Sequence, residues 1–556
     1  MYNIIRVNMK KKDINFEAPS EEYYRLGGRG LSSNIIAQEV LPESHPLGAH
    51  NKLIFAPGLL AGTTAPNSSR LSIGSKSPLT GGIKEANVGG VSGYKLGRLK
   101  IKAIIVEDLP DKGLYILKID KEDAKLIPAD EFKGLGNYEV CTRIREKYGN
   151  VGILSIGPAG EMRMGTATIA SSDPDGRPSR HAARGGLGAV MGAKGIKAII
   201  IDDSGVEPVE AKNKKEFQNI CKEFAKRILE RKATQLLSKF GTIGGLTFIN
   251  KIGALPTRNY SAGSFEGAEK IGGRVVSEIN SKRGGSFGHI CMPGCVIRCS
   301  NVMYDKDGKF LTAGFEYESS AMLGANLGID DLDIIMMMEK MCDDFGLDTM
   351  EIGATLGIVH DAGLIEFGDG KRALELINEI GQGTILGKVL GQGTAVTAKV
   401  FGIHRVPVVK NQAIPAHDPR REKGTGIGYC ISPQGADHTG IVIFQDDEPN
   451  KLAEMAEKKQ IVVAAYDSVG FCQWSEADPD IMANFLRAFY GWDLTRKDIE
   501  EMGKEIIKKE ISFNRAAGLG LGTDTLPDFM REEPLPPYQG IFDISEEHKE
   551  KILDAF

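Results

Sequence analysis

Three cysteines fall close together in the run Cys291-Met292-Pro293-Gly294-Cys295-Val296-Ile297-Arg298-Cys299. Thiolates at this spacing, with Pro and Gly between the first two, suit the wrapping of one metal centre. A structural zinc site prefers two separated Cys or Cys/His pairs. No second pair follows here, and His289 offers no standard zinc spacing. A [4Fe–4S] cube needs four thiolates, so the fourth must come from Cys141, Cys221, Cys342, Cys430 or Cys472. A lone cysteine is most often a small buried hydrophobe. Cys472 ends the segment Asp467-Ser468-Val469-Gly470-Phe471-Cys472, and Cys342 adjoins Asp343-Asp344-Phe345-Gly346-Leu347-Asp348. Both hexapeptides spell Asp-x-x-Gly-apolar-(Asp/Cys), and each follows an apolar helical stretch. Their matched form suggests two equivalent loops presented to two equivalent ligands.

The elements that must position these groups are legible in outline. At 556 residues the chain exceeds what one core supports, so two or three domains are expected. Residues 1–205 read as strand-rich, with β-branched runs at 52–56, 103–107, 114–119 and 198–202. Gly-rich loops at 27–30, 81–93 and 184–195 lie between them and suit close backbone approach to a ligand. Over 214–240, Phe217, Ile220, Phe224 and Ile228 recur about one turn apart, which predicts a helix. From there the chain reads as predominantly helical, in blocks 206–410 and 411–556 separated by a proline-containing linker. The Pro-rich segment 533–538 is expected to wrap over the surface. A net charge of −5 spread over the chain gives no reason to expect nucleic acid or an anionic membrane as partner. No secretory signal and no long uncharged apolar run is evident, so a cytoplasmic protein is the default expectation.

Further motifs carry a resemblance. In order they are Gly27-Gly28-Arg29-Gly30-Leu31, Phe55-Ala56-Pro57-Gly58-Leu59-Leu60-Ala61-Gly62-Thr63, Ser75-Lys76-Ser77-Pro78-Leu79-Thr80-Gly81 and Arg184-Gly185-Gly186-Leu187-Gly188-Ala189-Val190-Met191-Gly192. With the cysteine trio and both acidic loops, the chain resembles the tungsten-containing aldehyde ferredoxin oxidoreductases over essentially its full length. The resemblance implies an α+β, three-domain subunit: a β-sheet-rich base (1–205), a helical domain with the cysteine trio and first loop (206–410), and a second helical domain with the other loop (411–556). Between them would lie tungsten (or molybdenum) held by two pyranopterins, with Mg²⁺ bridging the pterin phosphates and a [4Fe–4S] cluster alongside. It implies that Asp343, Asp348 and Asp467 contact pterin nitrogens, with Leu347 and Phe471 packed beside them. It also implies that Arg70, Asn87, Gly89, Arg180 and Arg184 cradle phosphates, as Arg forks and Gly backbones do. Cys291, Cys295, Cys299 and Cys472 would hold the cluster.

For chemistry, the resemblance points to Glu318 as general base and His438 as hydrogen-bond donor, with Tyr317 and Thr349 on the substrate side. Glu316 competes with Glu318, and His417 competes with His438. The implied reaction is oxidation of an aldehyde to a carboxylic acid (EC 1.2.7 type), with electrons passing to ferredoxin or a ferredoxin-like subunit. A reductase of the same family, acting on a carboxylic acid or aromatic thioester, is the nearest alternative. An iron–sulfur carrier and a zinc-stabilised binding protein explain the cysteines but not the paired acidic loops. Two departures from the family pattern stand out: the first cysteine interval is C-x3-C rather than the commoner C-x2-C, and no Glu-x-x-His occurs. The interface iron site of some dimeric relatives is therefore not expected, although a homo-oligomer is compatible with the sequence.

Overall fold

The computed structural model describes residues 2–556. Six strands, β1 (Asn3–Asn8), β2 (Asp13–Glu17), β3 (Lys52–Pro57), β4 (Leu71–Lys76), β5 (Ile83–Val88) and β6 (Ile101–Glu107), form one sheet in the order β2-β1-β6-β3-β4-β5. Six more, β7 (Tyr115–Ile119), β8 (Ala124–Pro128), β9 (Gly152–Ser155), β10 (Ile169–Ser171), β11 (Arg180–Ala182) and β12 (Ile196–Ile201), form a second sheet. Read from its β8 edge, that sheet runs β8-β7-β12-β9-β10-β11, the same path as the first. The parallel pairs also correspond, β1 with β6 and β7 with β12, and the other neighbours are antiparallel in both sheets. The base domain is thus built twice from one plan.

The duplication leaves a trace in the sequence. Ile-Lys-Ala-Ile-Ile occurs in β6 from Ile101 and in β12 from Ile196, each preceded by a Gly-x3-Gly helix, at Gly93/Gly97 and Gly188/Gly192. A Cβ on Gly97 would lie 2.1 Å from the Ala61 carbonyl oxygen, and one on Gly192 only 1.9 Å from that of Gly160. The small residues therefore let both helices touch backbone. The sheets share one core, in which Phe55, Ile73, Ile104 and Val106 pack with Leu154, Ile169, Ile199 and Ile201. The alternate residues of the first sheet face the helix Gly28–Glu39, and those of the second face the helix Asn137–Tyr148. Strands covered on both faces read as continuous apolar runs, which is why this half is legible as strand from sequence.

In each copy the lysine of the repeated pentapeptide sits where the register of the parallel pair shifts, Lys102 in β6 and Lys197 in β12. Lys197 reaches Glu161, but Lys102 lies over the rings of Tyr2 and Tyr24, its Nζ 5.6 Å from each centroid. Burial pushes Lys102 down to about 7. In the unfolded chain a lysine titrates near ~10.4. The unfolded state therefore binds more protons between these values, so stability rises with pH across that window and the cost is fully present below it. A Lys102→Met variant should melt higher than the parent at pH ~6.5, by up to a few kcal/mol at ~1.4 per pKa unit. The attraction of the two ring faces for the cation reduces that gain. The advantage should vanish by pH ~10.5, as thermal melts at both pH values will show.

Beyond residue 206 the chain is mainly helical, as expected, apart from two small sheets, one of them the two-stranded pairing of Val408–Val409 with Gln412–Ala413. Strands β13 (Ser286–His289), β14 (Ser300–Tyr304) and β15 (Phe310–Ala313) form a small antiparallel sheet, and His289 pairs with Ser300 across the mouth of the cysteine loop. These strands are short, and Gly288 breaks the first, so helical periodicity fails there without a strong strand signal to replace it. The predicted helix at 214–240 forms as Lys214–Glu230 and Lys232–Phe240. Its apolar side packs on the other helical block: Phe217 meets Phe485 and Phe224 meets Phe471, each pair of rings 5.6 Å apart. The segment 533–538 runs back over the first helical block, where Gly263 N–H donates to the Pro536 carbonyl at 2.8 Å. Among the described residues no helix is long and apolar enough to cross a membrane.

Candidate active site

The cysteine trio occupies the loop between β13 and β14. Cys472 packs with Cys291, Met292 and Cys295 in one small buried cluster, and Cys299 is near enough to feel the charges of Cys291 and Cys472. The other candidates for a fourth thiolate lie elsewhere. Cys141 is in the core under the second sheet, Cys342 and Cys430 are in the helical core, and Cys221 bonds the Thr64 side chain. A hydrogen bond with Cys295 pushes the Cys291 thiol well up, and the same bond holds Cys295 below its usual value. Burial raises Cys299 and Cys472. Among the described residues no three His, Cys, Asp or Glu side chains close on a single ion.

The two acidic loops have the same backbone construction. The helix Leu332–Phe345 ends at Gly346 (φ 73°) and the helix Pro449–Val469 at Gly470 (φ 95°). Leu347 N–H then bonds back to the Cys342 carbonyl at 2.8 Å, and Phe471 N–H to that of Tyr466 at 3.2 Å. Left-handed Gly caps with such return bonds are a local property of helix ends. Each loop docks on a different copy of the base. Thr168 N–H donates to Gly346 O at 2.9 Å and Asp348 N–H to Thr166 O at 3.0 Å. On the other side, Arg70 N–H donates to Gly470 O and Leu59 N–H to Ser468 O, both at 3.1 Å. A Cβ at Gly470 would meet Ser68 O at 2.8 Å, so both the turn and the docking require glycine.

Asp343 lies 3.1 Å from His181 Nε2 and accepts from Thr312 Oγ1 at 3.1 Å. Asp467 lines a small, polar pocket together with Arg29, Glu85, Gln434, Asp437 and Gln460. Burial, and then the neighbouring Glu85, push Asp467 well above the usual carboxylate range, and burial likewise raises Glu85. Carboxyls that keep their proton donate as well as accept. Arg29 stands 3.6 Å from Asp467 and is gripped by Glu510 through two hydrogen bonds of 2.9 and 2.7 Å. Removing the charge of a buried partner strands the other ion. Glu510→Gln should therefore destabilise the fold by ~3–5 kcal/mol, measured by chemical denaturation, and loosen the second loop.

Arg70 bonds both the side chain of Asn87 and its carbonyl, the latter at 3.1 Å. A side chain on Gly89 would point at Cys291 Sγ (3.5 Å) and Arg70 Nη1 (3.7 Å), so these three residues meet beside the thiols. Arg180 and Arg184 each meet carboxylates of the helical half. Arg180 pairs with Glu316 at 3.0 Å, and Arg184 lies 3.0 Å from Asp348 and donates to Ala413 O at 2.7 Å. Arg184 is buried and Arg180 largely so, and carboxylates beside a guanidinium withdrawn from water offset its desolvation. Asp348 also caps the helix Thr349–Asp361, accepting from Met350 and Glu351 N–H.

On the remaining side, Glu318 Oε1 lies 3.2 Å from His438 Nε2, both side chains retaining some exposure. Glu316 is occupied by Thr242 Oγ1 (2.6 Å) and Arg180, which leaves Glu318 as the available carboxylate. His438 follows Asp437, whose carboxylate is held low, against the effect of burial, by Lys84 at 2.8 Å. Tyr317 OH donates to Ala416 O at 2.6 Å and its ring centroid is 5.4 Å from that of His417. His417 is bound to Glu422 at 3.1 Å, and burial, which lowers it, is outweighed by that carboxylate. Thr349 is half-buried at the start of its helix, next to Asp348. Sequence reasoning missed Arg29, Lys84, Glu85, His181 and Glu510. Their only signal was charge within strands and helices that the packing buries.

The two-sheet base and its helical superstructure are those of an oxidoreductase family. The chain belongs to the aldehyde ferredoxin oxidoreductase family: residues 4–203 match its N-terminal domain and residues 219–556 its domains 2 and 3. It is 33% identical to the tungsten-containing aldehyde ferredoxin oxidoreductase of Pyrococcus horikoshii, covering 96% of this chain and 92% of the relative. The Pyrococcus furiosus protein of the same name is 34% identical, with 96% and 91% covered. An aliphatic sulfonate oxidoreductase, WOR-like subunit, from Pyrococcus furiosus is 27% identical over 96% of this chain and 88% of its own. In fold the chain is also similar to the active site complex BamBC of benzoyl coenzyme A reductase, with a TM-score of 0.82 and 19% identity, covering 100% of this chain and 93% of that one.

Family membership implies a tungsten pterin cofactor, and the residues present suit one. His438, beside the pocket residue Asp437, has a buried Nδ1 without a hydrogen-bond partner. Polar atoms buried in this way call for a ligand or water.

Proposed function

We propose that the chain oxidises an aldehyde to a carboxylic acid and passes the electrons to ferredoxin or a ferredoxin-like subunit in the cytoplasm. The overall change is RCHO + H₂O → RCOO⁻ + 3H⁺ + 2e⁻. When bound, a tungsten (or molybdenum) bis-pyranopterin with Mg²⁺ at its phosphates would supply the two-electron acceptor, and a [4Fe–4S] cluster would supply a one-electron outlet. Asp343, Asp348 and Asp467 would hold the pterins with Leu347 and Phe471 against them, and Arg70, Asn87, Gly89, Arg180 and Arg184 would lie at the phosphate side. Cys291, Cys295, Cys299 and Cys472 would be the cluster ligands.

Glu318 acts as general base, taking a proton from water or from the aldehyde carbon as electrons depart. His438 donates a hydrogen bond to the substrate oxygen, stabilising negative charge as it develops. Tyr317 and Thr349 line the substrate side. The observation that carries this reading is the Glu318–His438 pair, brought to 3.2 Å beside the Asp437 edge of the polar pocket. The test is a panel of aldehydes with a viologen dye on anaerobically purified protein, accompanied by elemental analysis. Turnover of no aldehyde, or iron without tungsten or molybdenum, would remove the reading.

A further inference from the structure

Asn67 lies fully buried between the two cysteine-bearing segments, and all four of its polar groups bond to them. Its N–H donates to the Gly294 carbonyl at 3.1 Å, and its own carbonyl accepts from Cys472 N–H at 2.8 Å. Its Oδ1 accepts from Val296 N–H at 3.1 Å, and its Nδ2 donates to Cys295 Sγ at 3.5 Å. The Val296 N–H can bond only the amide oxygen, so it fixes the orientation and turns the NH₂ toward sulfur. The residue sits at φ 59°, a left-handed conformation that Asn tolerates better than most other residues. Gly294, whose carbonyl it holds, is itself left-handed at φ 76° and belongs to the longer first cysteine interval. The added length of C-x3-C is thus taken up at a turn that Asn67 anchors.

We infer that Asn67 is a positioning residue for the cluster thiolates. It locks Cys472 onto the Cys291–Cys299 loop, and its amide, with Arg298 N–H at 3.4 Å from the same sulfur, stabilises electron density on Cys295. The inference rests on the reading that these four cysteines hold a [4Fe–4S] cluster. N–H donors to a cluster sulfur favour the reduced, more negative state and so raise the reduction potential.

Asn67→Asp retains the acceptor for Val296 and replaces the donor at sulfur with a carboxylate. Asn67→Gly retains the left-handed backbone and both backbone bonds and removes only the amide. Iron content and an EPR-monitored redox titration are measured on wild type and both variants. With iron retained, Asn67→Asp should become harder to reduce, its reduced-to-oxidised ratio at a fixed potential falling about tenfold, ~59 mV for one electron. Asn67→Gly should shift in the same direction by less and lose iron to a chelator faster than wild type. Should Asn67→Asp fail to assemble a cluster, the titration of Asn67→Gly decides. An unchanged potential in a cluster-bearing variant overturns the inference while leaving the cluster reading intact. A wild-type protein without iron overturns the cluster reading, and the inference with it.

Discussion

A Glu318→Gln variant is expected to lose ~10²–10⁴-fold in kcat for aldehyde oxidation while keeping its iron and tungsten content. Gln is nearly isosteric with Glu and still accepts from His438, so the site should keep its shape and lose only the ability to take a proton. The neighbouring carboxylate supplies the contrast. Glu316 is tied to Arg180 at 3.0 Å and to Thr242 at 2.6 Å. Glu316→Gln should therefore act mainly on stability, by leaving the largely buried Arg180 less compensated, with a much smaller effect on kcat. Steady-state rates and denaturation midpoints for both variants make the measurement. If Glu318→Gln retained more than a tenth of the wild-type kcat, Glu318 would not be the base.

Cys472→Ser is expected to abolish the iron–sulfur chromophore and ferredoxin-linked turnover. The trio alone supplies three thiolates, and the cube needs four. The loss should exceed the ~10–100-fold typical of removing an outer-shell partner of a metal. The controls are Cys342→Ser and Cys430→Ser, whose thiols are buried in the helical core. Each should retain full iron while showing modest destabilisation from a hydroxyl placed among apolar neighbours. Iron analysis and visible absorption of the three variants separate the roles. An iron-replete Cys472→Ser protein would show that the fourth ligand is another residue.

Much of the base domain could be read in advance, because strands covered on both faces must be apolar along their length. Its duplication went unread, since apart from the repeated Ile-Lys-Ala-Ile-Ile the two copies share topology and little sequence. The helix 214–240 was evident from its periodicity, but its attachment to the far helical block was not. A stripe of Phe217, Phe224 and Ile228 says that a face is buried without saying against what. The carboxylates that meet Arg180 and Arg184 also went unread, because an arginine beside glycines carries no sign of them.

By itself the sequence determined what depends on neighbours along the chain. The close spacing of three thiols is of that kind, as are the left-handed Gly caps at Gly346 and Gly470 that give both acidic loops one shape. Only the tertiary structure decided what depends on distant segments meeting. It joined Cys472 to the trio through Asn67, set Glu318 against His438, and seated each acidic loop on its own copy of the base. Local backbone geometry follows from residue type and short-range bonding, whereas convergence across hundreds of residues follows from how whole sheets and helices bury their faces.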